Sequence, residues 1–476
     1  MSSTQIAPRS LSQSQAFILA TTLVLLFFLL SFSARVQANE TLLYTFWVTT
    51  GLLILFYAIS SFVQFRQNKQ ASILIIIAKP HYVQMLMHLC IFAYWGWYWP
   101  QVYDQAILII GQLVYVHIFD LCFRWYQGKP FIIGFGRFPI IFSTNLFLWF
   151  QDDWFYYQFI MITFGILAKE YFTWTKDGRK THIFNPSAIS LSVASLLLII
   201  TGTTDISWGS QISNTLNTPP HIYLEIFILG LIVQYLFHVT LVTLATVISL
   251  LVLGAIYYQF TGIYFFYTSD IPIAVFLGLH LLVTDPVTSP KTNTGKLLFG
   301  LLYGLSVMLL FEILEYFGAP TFYDKLLAIP LLNLSIIFLD HLGNRINLGK
   351  LWPEFLTLSM YAKKLNIVFM AIWIALFFSW QTFGHLGKNH PGTQSQYWEE
   401  ACDDDLRNAC RNLHDLLGNE CNNNVALACA RLGSLHRFAK GVERNDVKAY
   451  QYVKRACDIG LQEACIHLHE YRPDHY

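Results

Sequence analysis

The sequence predicts an all-α, polytopic membrane protein that ends in a short soluble helical tail. Its 476 residues are 55% hydrophobic and only 12% charged, whereas a soluble domain carries roughly 25% charged residues. Apolar runs long enough to cross about 30 Å of hydrocarbon recur as far as about residue 385. The net charge of +1 gives no nucleic-acid signature. These observations exclude a fully soluble protein and give no support to nucleic-acid binding.

The apolar runs predict about 12 to 13 transmembrane helices. Two runs, 138–150 and 271–284, are short enough to be half-helices. The remaining runs are 14–33, 42–64, 81–98, 106–123, 154–172, 185–203, 221–238, 240–260, 297–317, 324–342 and 366–384.

Basic residues are concentrated in alternate loops, which predicts the orientation of the chain. The outer loops hold little beyond Arg35 and Lys325. We therefore expect a multi-pass protein of the bacterial inner membrane with a cytoplasmic N-terminus and a periplasmic tail. The basic residues of the inner loops are Arg66, Lys69, Lys79, Arg124, Lys129, Arg137, Lys176, Arg179, Lys180, Lys291, Lys296, Arg345, Lys350, Lys363 and Lys364.

The first apolar run has two interpretations that the sequence leaves open. Ala16–Phe32 follows Arg9 and precedes Val36-Gln37-Ala38, so residues 1–38 fit either an uncleaved helix or a signal peptide. The run is long for a signal peptide, which favours the helix. Both interpretations leave every later loop on the same side.

The tail contains three cysteine pairs with the same spacing. An uninterrupted helix would separate cysteines eight residues apart by about 12 Å, which is too far for a disulfide. Each pair, however, encloses a helix stop, CDDD, CNNN or CDIG, so a tight turn can bring the two cysteines together. Disulfides are therefore predicted within the pairs Cys402/Cys410, Cys421/Cys429 and Cys457/Cys465; buried reduced cysteines are the alternative.

The tail resembles the cysteine-rich Sel-type helical repeat, a relative of the tetratricopeptide repeat. The resemblance covers about residues 395–476 and rests on the Leu-Gly, Lys-Gly-Val, Lys-Ala-Tyr and Ala-Cys-Asp-x-Gly elements. Cys421 to Cys457 and Cys429 to Cys465 share an offset of 36 residues, a period typical of helical solenoids. Cys402 precedes Cys421 by only 19 residues, so the first unit is expected to be truncated or a cap. Such repeats bind partner proteins, so the resemblance implies docking of membrane or periplasmic redox proteins.

Two Asx-Pro pairs interrupt apolar runs at their inner ends. Asn185-Pro186 comes just before an outward span, and Asp285-Pro286 comes just after an inward one. Irregular backbone persists inside a bilayer only where protein or a cavity satisfies its polar groups. Each pair alone fits an ordinary helix cap. Two such pairs on the same, inner side of the membrane favour a shared site between two related halves of the protein.

Residues 79–345 resemble a known family of membrane proteins, found in Rnf electron-transport complexes and in the sodium-pumping NADH:quinone oxidoreductase. The matching motifs are KPHY at 79–82, Ala168-Lys169-Glu170, Asn185-Pro186 and Thr284-Asp285-Pro286. The sequence also resembles the standalone, enediyne-cluster-type versions of this family. The resemblance implies a 5+5 inverted repeat similar to urea and ammonium channels.

The same resemblance implies a flavin, either FMN or riboflavin. Relatives with covalent flavin esterify a threonine in a Ser-Gly-Ala-Thr-like motif. TGTTDISWG at 201–209 is similar, which would make Thr204 the attachment residue, although Thr203 replaces the alanine. A threonine-rich helix end capped by Asp205 explains the segment equally well. The predicted cofactor-binding residues are Lys169, Asn185, Pro186, Ser187, Thr204, Thr284, Asp285 and Pro286.

Two histidines fall at a similar depth of neighbouring spans. His88 and His117 could ligate a haem if they face each other, or they could simply pack between helices as satisfied polar residues. Site lining or proton relay by His280, Asp340 and His341 is a weaker hypothesis.

The predicted domains are N-terminal helices at 1–78, an inverted-repeat core at 79–345, a connector with the last span at 346–390, and disulfide-bonded repeats at 391–476. We expect a membrane electron-transfer subunit and hence an oxidoreductase component. No catalytic acid or base is predicted, because electron transfer needs none. A solute channel or carrier on the same fold and a scaffold presenting the repeats are the alternatives.

Overall fold

The computed structural model describes residues 9–69, 72–176, 178–346, 362–406 and 408–472. Most of the predicted connector, 347–361, and residues 1–8 of the first predicted domain lie outside these ranges. Within them, seven helices are long and apolar enough to cross a membrane, which confirms a polytopic protein. These are Gln13–Leu30, Glu40–Arg66, Gln101–Tyr126, Thr240–Thr261, Asn293–Tyr316, Thr321–Arg345 and Lys364–Thr382.

The N-terminal helices are α1 (Gln13–Leu30), α2 (Ala34–Gln37) and α3 (Glu40–Arg66). Ser12 begins α1 with a capping box and Asn39 caps α3, because both side chains accept a free backbone N–H of the first turn. The α2 residue Arg35 donates to both carboxylate oxygens of Asp152 at 2.7 Å. This bidentate ion pair links the segment between α1 and α3 to Asp152, which lies between α7 and α8.

A first series of helices follows. It consists of α4 (Lys79–Tyr98), α5 (Gln101–Asp104), α6 (Ala106–Tyr126), α7 (Phe138–Asn145), α8 (Tyr156–Tyr171) and α9 (Pro186–Thr201). A second series consists of α10 (Gly209–Thr215), α11 (Ile222–Phe237), α12 (Thr240–Thr261), α13 (Ile273–Leu281), α14 (Asn293–Tyr316) and α15 (Asp324–Arg345).

The helices α7 and α13 are the predicted half-helices. They have 8 and 9 residues, so they span about 12–14 Å at 1.5 Å per residue, less than half of a bilayer. A proline lies at the start of each, Pro139 within α7 and Pro272 just before α13, where its fixed φ is compatible with a helix start. Every residue of α13 is buried, as are Pro139–Asn145 of α7.

The packing of the two series follows one pattern. α7 packs on α4 and α9, and α13 packs on α11 and α15 in the same way. The two series contact each other through α4 with α11 and through α9 with α15. Small residues permit close helix approach: a Cβ on Gly300 would lie 2.3 Å from the carbonyl oxygen of Val242.

Two small sheets lie between helices. Strands β1 (Arg9–Ser10), β2 (Ile73–Ile75) and β3 (Phe131–Ile133) form one, antiparallel between β1 and β2 and parallel between β2 and β3. Strands β4 (Thr173–Lys176) and β5 (Arg179–His182) form an antiparallel hairpin. Lys176, Arg179 and Lys180, which the sequence assigns to an inner loop, therefore lie on the two strands of this hairpin.

The chain divides into two compact units. The first comprises Met1–Ser249 and Ile273–Trp373, and the second comprises Leu250–Pro272 and Ile374–Tyr476. The C-terminal helices are α16 (Ala362–Thr382), α17 (Ser395–Asp403), α18 (Ala409–Asn422), α19 (Ala426–Phe438), α20 (Asp446–Ile459) and α21 (Gln462–His467).

The three predicted disulfides are confirmed. They join α17 to α18, α18 to α19 and α20 to α21, with Cα–Cα distances of 4.6, 4.7 and 4.7 Å. The bonded pairs are Cys402 with Cys410, Cys421 with Cys429, and Cys457 with Cys465.

A left-handed residue turns the chain back in each of these hairpins. The third residue after the first cysteine has positive φ, namely Asp405 (53°), Asn424 (64°) and Gly460 (116°). This residue ends the helix, as the stop motifs predicted. Trp398, Leu432 and Val453 belong to the buried core of this unit.

The first hairpin forms the same kind of turn although its cysteines depart from the repeat period. Cys410 lies in the first turn of α18 and is half-buried, whereas its partner Cys402 is buried. A Cβ on Gly441 would lie 2.6 Å from the Cys410 Cβ atom, so the loop after α19 packs directly on this disulfide. The short spacing to Cys421 therefore shortens the first unit without removing its disulfide.

Candidate functional site

Asn185 begins α9 and holds it against the second series of helices. Its Oδ1 atom accepts the backbone N–H groups of Ser187 and Ala188 at 3.0 and 3.3 Å, so it is a helix N-cap. Its Nδ2 atom donates to the carbonyl oxygen of Leu282 at 2.9 Å. Leu282 follows α13 directly, so the structure brings the Asn-Pro break onto the segment that carries the second break.

That segment, residues 282–292, is an irregular loop, and its own side chains satisfy part of its polar groups. Thr284 donates its hydroxyl to the His280 carbonyl oxygen at 2.7 Å. The Asp285 carboxylate accepts the Val287 N–H at 3.1 Å and the Thr288 hydroxyl at 3.0 Å. These bonds replace the helical ones that Pro286 prevents, as irregular backbone inside a membrane protein requires.

Asn333 of α15 joins the two breaks, and no sequence pattern singled it out. It accepts the Asn185 N–H at 3.1 Å and donates to the Thr288 carbonyl oxygen at 3.0 Å. A buried asparagine three residues after Pro330 in an apolar helix was the available signal. Its partners, however, are 148 and 45 residues away in the chain.

Asp340 of α15 binds the C-terminal end of the 282–292 loop. One carboxylate oxygen accepts the N–H groups of Lys291 and Thr292 at 2.7 and 2.9 Å. The other lies 3.0 Å from the ammonium of Lys176 in the β4–β5 hairpin. The proton-relay hypothesis for Asp340 is untested; the contacts show that it anchors a loop.

Three of the eight predicted cofactor-binding residues therefore hold the breaks in place. The polar side-chain atoms of Asn185, Ser187 and Thr284 bond to protein groups, and all three residues are buried. Their contacts fix backbone geometry, whereas Lys169 and Asp285 are the two charged residues among the predicted site residues.

Lys169 lies in the last turn of α8, among charges of both signs. Its electrostatic neighbours include Arg137, Asp120 and Asp285. Glu170, the next residue, pairs instead with Arg124 at 3.0 Å and Lys129 at 2.7 Å. Within the described ranges Lys169 makes no hydrogen bond or ion pair, so its ammonium is available to a ligand.

Two of the acidic groups around Lys169, Asp120 and Glu170, pair with other cations, and the third, Asp285, lies 3.8 Å from His182. Asp120 accepts Arg137 through Nε at 2.9 Å and also lies 3.5 Å from Arg124. The four cations Arg124, Lys129, Arg137 and Lys169 outnumber the three carboxylates Asp120, Glu170 and Asp285 by one. We call these seven residues the basic cluster; its excess positive charge favours an anionic ligand.

His81 of the KPHY motif faces the same cluster. It interacts electrostatically with Lys169 and Asp285, and it is exposed to solvent or lipid. A Cβ on Gly136 would lie 3.2 Å from the His81 Nδ1 atom, so the 135–137 turn packs against the imidazole. His81 was absent from the predicted site residues, although its motif was recognised.

Thr204 is at the opposite end of α9 from Asn185. The 16 residues of α9 place the two ends about 24 Å apart. Thr204 is partly exposed and its hydroxyl makes no hydrogen bond to any residue that the structure describes. Thr203, in contrast, bonds Thr201 through its hydroxyl at 2.7 Å. Thr204 therefore lies apart from the basic cluster.

The two histidines proposed as haem ligands contact different partners. Both nitrogens of His88 are engaged, Nδ1 with the Gln84 carbonyl oxygen at 2.6 Å and Nε2 with the Ser143 hydroxyl at 2.9 Å. His117 bonds the Leu113 carbonyl oxygen at 2.7 Å. Haem ligation by this pair stays a prediction, and it would cost His88 its bond to Ser143.

Residues 156–349 match the NQR2, RnfD, RnfE family. The match includes the AKE, Asn-Pro and Thr-Asp-Pro motifs and covers less than half of the chain, so it shows similarity to that membrane domain within these bounds. The KPHY motif and the tail lie outside it. No curated protein and no solved structure matches the chain.

Proposed function

We propose that this protein is a membrane subunit of an electron-transport system and that it binds flavin. The observation that carries the proposal is that the Asn-Pro and Thr-Asp-Pro motifs of the family-matched region meet at one loop. Lys169 of the third motif is nearby and pairs with no residue that the structure describes. Rnf- and NQR-type complexes, to which the matched family contributes membrane subunits, supply the redox context. The inverted repeat belongs to this proposal, and the common packing pattern of the two helix series supports it.

The basic cluster is the proposed site for an anionic flavin such as FMN. A bound flavin would supply one-electron chemistry between a donor and an acceptor. Lys169 and Arg137 would hold its phosphate by charge, and His81 would line the exposed approach. Asn185, Asn333 and Asp340 would keep the broken backbone in position around it.

Thr204 is the proposed residue for a covalently attached flavin. Its partly exposed position, and a hydroxyl that bonds no residue in the described ranges, support this assignment. Mass spectrometry of the 201–210 peptide tests it: we expect a flavin-mass adduct in the wild type that Thr204→Val removes. Thr203→Val is the matched control and should keep the adduct. An unmodified wild-type peptide would contradict covalent attachment and leave the basic cluster as the only flavin site proposed.

The tail is proposed to dock a partner protein in the periplasm. Its disulfide-closed helical hairpins support a rigid binding surface, and the placement of basic loops supports the outer location. A partner would then be another redox protein of the same system. Cross-linking in intact cells, followed by comparison with a chain that ends at residue 394, tests whether the repeats recruit it.

A channel or carrier is the second candidate function. It is favoured by the short, buried helices α7 and α13, because discontinuous helices near the bilayer midplane form substrate sites in many transporters. A Cβ on Gly278 of α13 would lie 3.9 Å from Phe147, which follows α7, so the two segments approach each other. Solute flux into liposomes by flavin-free protein would favour this candidate over electron transfer.

A further inference from the structure

Three metal-ligating side chains meet in the second unit, and none belongs to the sites described above. Asp270 lies between α12 and α13, whereas His385 and His390 lie between α16 and α17. One ligand atom from each lies within 4.8 Å of the other two. Asp270 is more than a hundred residues from the histidines in the chain, so the fold alone brings them together.

The distances suit a small divalent ion. Asp270 Oδ2 is 3.3 Å from His385 Nδ1, and Asp270 Oδ1 is 3.2 Å from His390 Nε2. In a tetrahedral zinc site with bonds of about 2.0–2.1 Å, neighbouring ligand atoms are about 3.3 Å apart. Two of the three pairs of ligand residues therefore already have this spacing, each through a different oxygen of Asp270, and all three ligand atoms lie within 4.8 Å of one another.

One nitrogen of the cluster lacks a hydrogen bond. The Nδ1 atom of His385 is buried and close to Asp270, yet it has no hydrogen-bond partner in the part of the chain that the structure describes. Buried polar atoms are normally paired, and an unpaired one calls for an explanation such as an ion. The His385 side chain is still 40% exposed, so solvent can reach the cluster and supply a further ligand.

Neighbouring groups hold the ligands in place, as outer-shell groups do in metal sites. The indole N–H of Trp380 donates to Asp270 Oδ2 at 3.0 Å. The His390 ring is fully buried and packs against Tyr264 with ring centroids 4.3 Å apart. A Cβ on Gly392 would lie 2.6 Å from the Tyr267 carbonyl oxygen, so the backbone at Gly392 is in direct contact with the backbone at Tyr267.

One hydrogen bond opposes metal loading. The Gly392 N–H donates to His390 Nδ1 at 3.1 Å, which places the ring proton of a neutral His390 on Nε2, facing Asp270. Coordination through Nε2 moves that proton to Nδ1 and breaks the Gly392 bond. A metal-free Asp270–His390 hydrogen bond is thus the competing state.

We propose that Asp270, His385 and His390 bind one first-row divalent ion, with Zn²⁺ as the best fit, and that the ion clamps the 262–272 segment to the start of the tail. Two imidazoles and one carboxylate form a ligand set that Zn²⁺ accepts while keeping a fourth position for water. The clamp would be independent of flavin and of the electron-transfer proposal.

The test uses the full chain, purified in detergent without a histidine tag, stripped with chelator and titrated with Zn²⁺. After gel filtration, metal analysis is expected to find one zinc per wild-type chain. His385→Ala and Asp270→Asn should each weaken binding by about 100-fold or more, because each removes a ligand. His467→Ala, which removes an exposed tail histidine paired with Glu470, is the matched control and should bind as the wild type does.

Co²⁺ provides a readout that does not depend on stoichiometry alone. We expect visible d–d absorption in wild-type protein and its loss in His385→Ala. The His385 side chain is 40% exposed, so its replacement should disturb folding less than replacement of the buried His390. Equal zinc content in the wild type and His385→Ala, or a wild type that holds none, would overturn the proposal and assign the cluster to the metal-free hydrogen bond.

Discussion

Asn185 illustrates how one residue can serve two elements. It caps α9 and donates to the Leu282 carbonyl oxygen. We predict that Asn185→Ala destabilises the protein by about 2 kcal/mol, roughly 1 for the cap and about 1 for the buried hydrogen bond. A lower unfolding temperature in detergent would show this.

Asn39→Ala is the control for the Asn185 prediction. Asn39 also caps a helix, but its second contact, with Asp153, is exposed. The control should therefore lower the unfolding temperature less. Equal shifts for the two variants would mean that the link from α9 to the broken loop adds no stability.

Lys169 is the residue on which the proposed flavin site depends most. Lys169→Met removes the cation that makes no ion pair within the described residues, so we predict a lower flavin content after purification, with folding retained. Lys180→Met alters an exposed lysine in the hairpin and should leave the content unchanged. Flavin released by acid and measured by fluorescence gives both values, and an unchanged content in Lys169→Met would exclude this residue from the site.

At the scale of elements, the disulfides set the stability of the tail. The loop between Cys421 and Cys429 is short, so its closure is expected to contribute about 2–3 kcal/mol by the chain-entropy model. The double variant Cys421→Ser/Cys429→Ser should lower the unfolding temperature of the tail, followed by circular dichroism. Cys90→Ser changes an exposed free cysteine and should have little effect; a similar loss in both variants would contradict the prediction.

The helix α19 gives the tail a predicted pH dependence. Burial lowers the pKa of His436 below its usual value of 6.5, and His414 and Lys448 lower it further. As pH falls below about 6.5, the unfolded chain therefore binds more protons than the folded chain. The stability that is present above pH 6.5 is lost as the pH falls from there through the lower, folded-state pKa. The ring stacks on Tyr452 with centroids 5.5 Å apart.

His436→Phe should flatten this dependence between about pH 7 and pH 5, measured as the unfolding temperature of the tail at each pH. His467→Gln, at an exposed position of α21, should retain the wild-type slope. If His436→Phe retains it too, the titrating group is another residue.

Local sequence patterns predicted the helices and turns, but they did not predict the long-range contacts. The stop motifs placed the turns at Asp405, Asn424 and Gly460 correctly because helix termination depends on neighbours in sequence. The half-helices α7 and α13 were predicted for the same reason, from the shortness of their apolar runs. Asn333, His81 and the Asp270 cluster were missed, because their roles arise from partners that only tertiary packing supplies.

At the scale of the whole molecule, a membrane domain is followed by a disulfide-bonded tail. The polytopic architecture is shared by the electron-transfer and channel proposals, so fold alone does not separate them. What separates them is the bound molecule: a redox cofactor in the basic cluster for the first, a transported solute near the short helices α7 and α13 for the second. The proposed orientation and inverted repeat are common to both.

The absorption spectrum of detergent-purified wild-type protein tests the central claim most directly. Electron transfer through a bound flavin predicts a flavin spectrum that bleaches on reduction, with a content reduced in Lys169→Met. Protein that is folded, retains its three disulfides and shows no flavin absorption in either variant would contradict it.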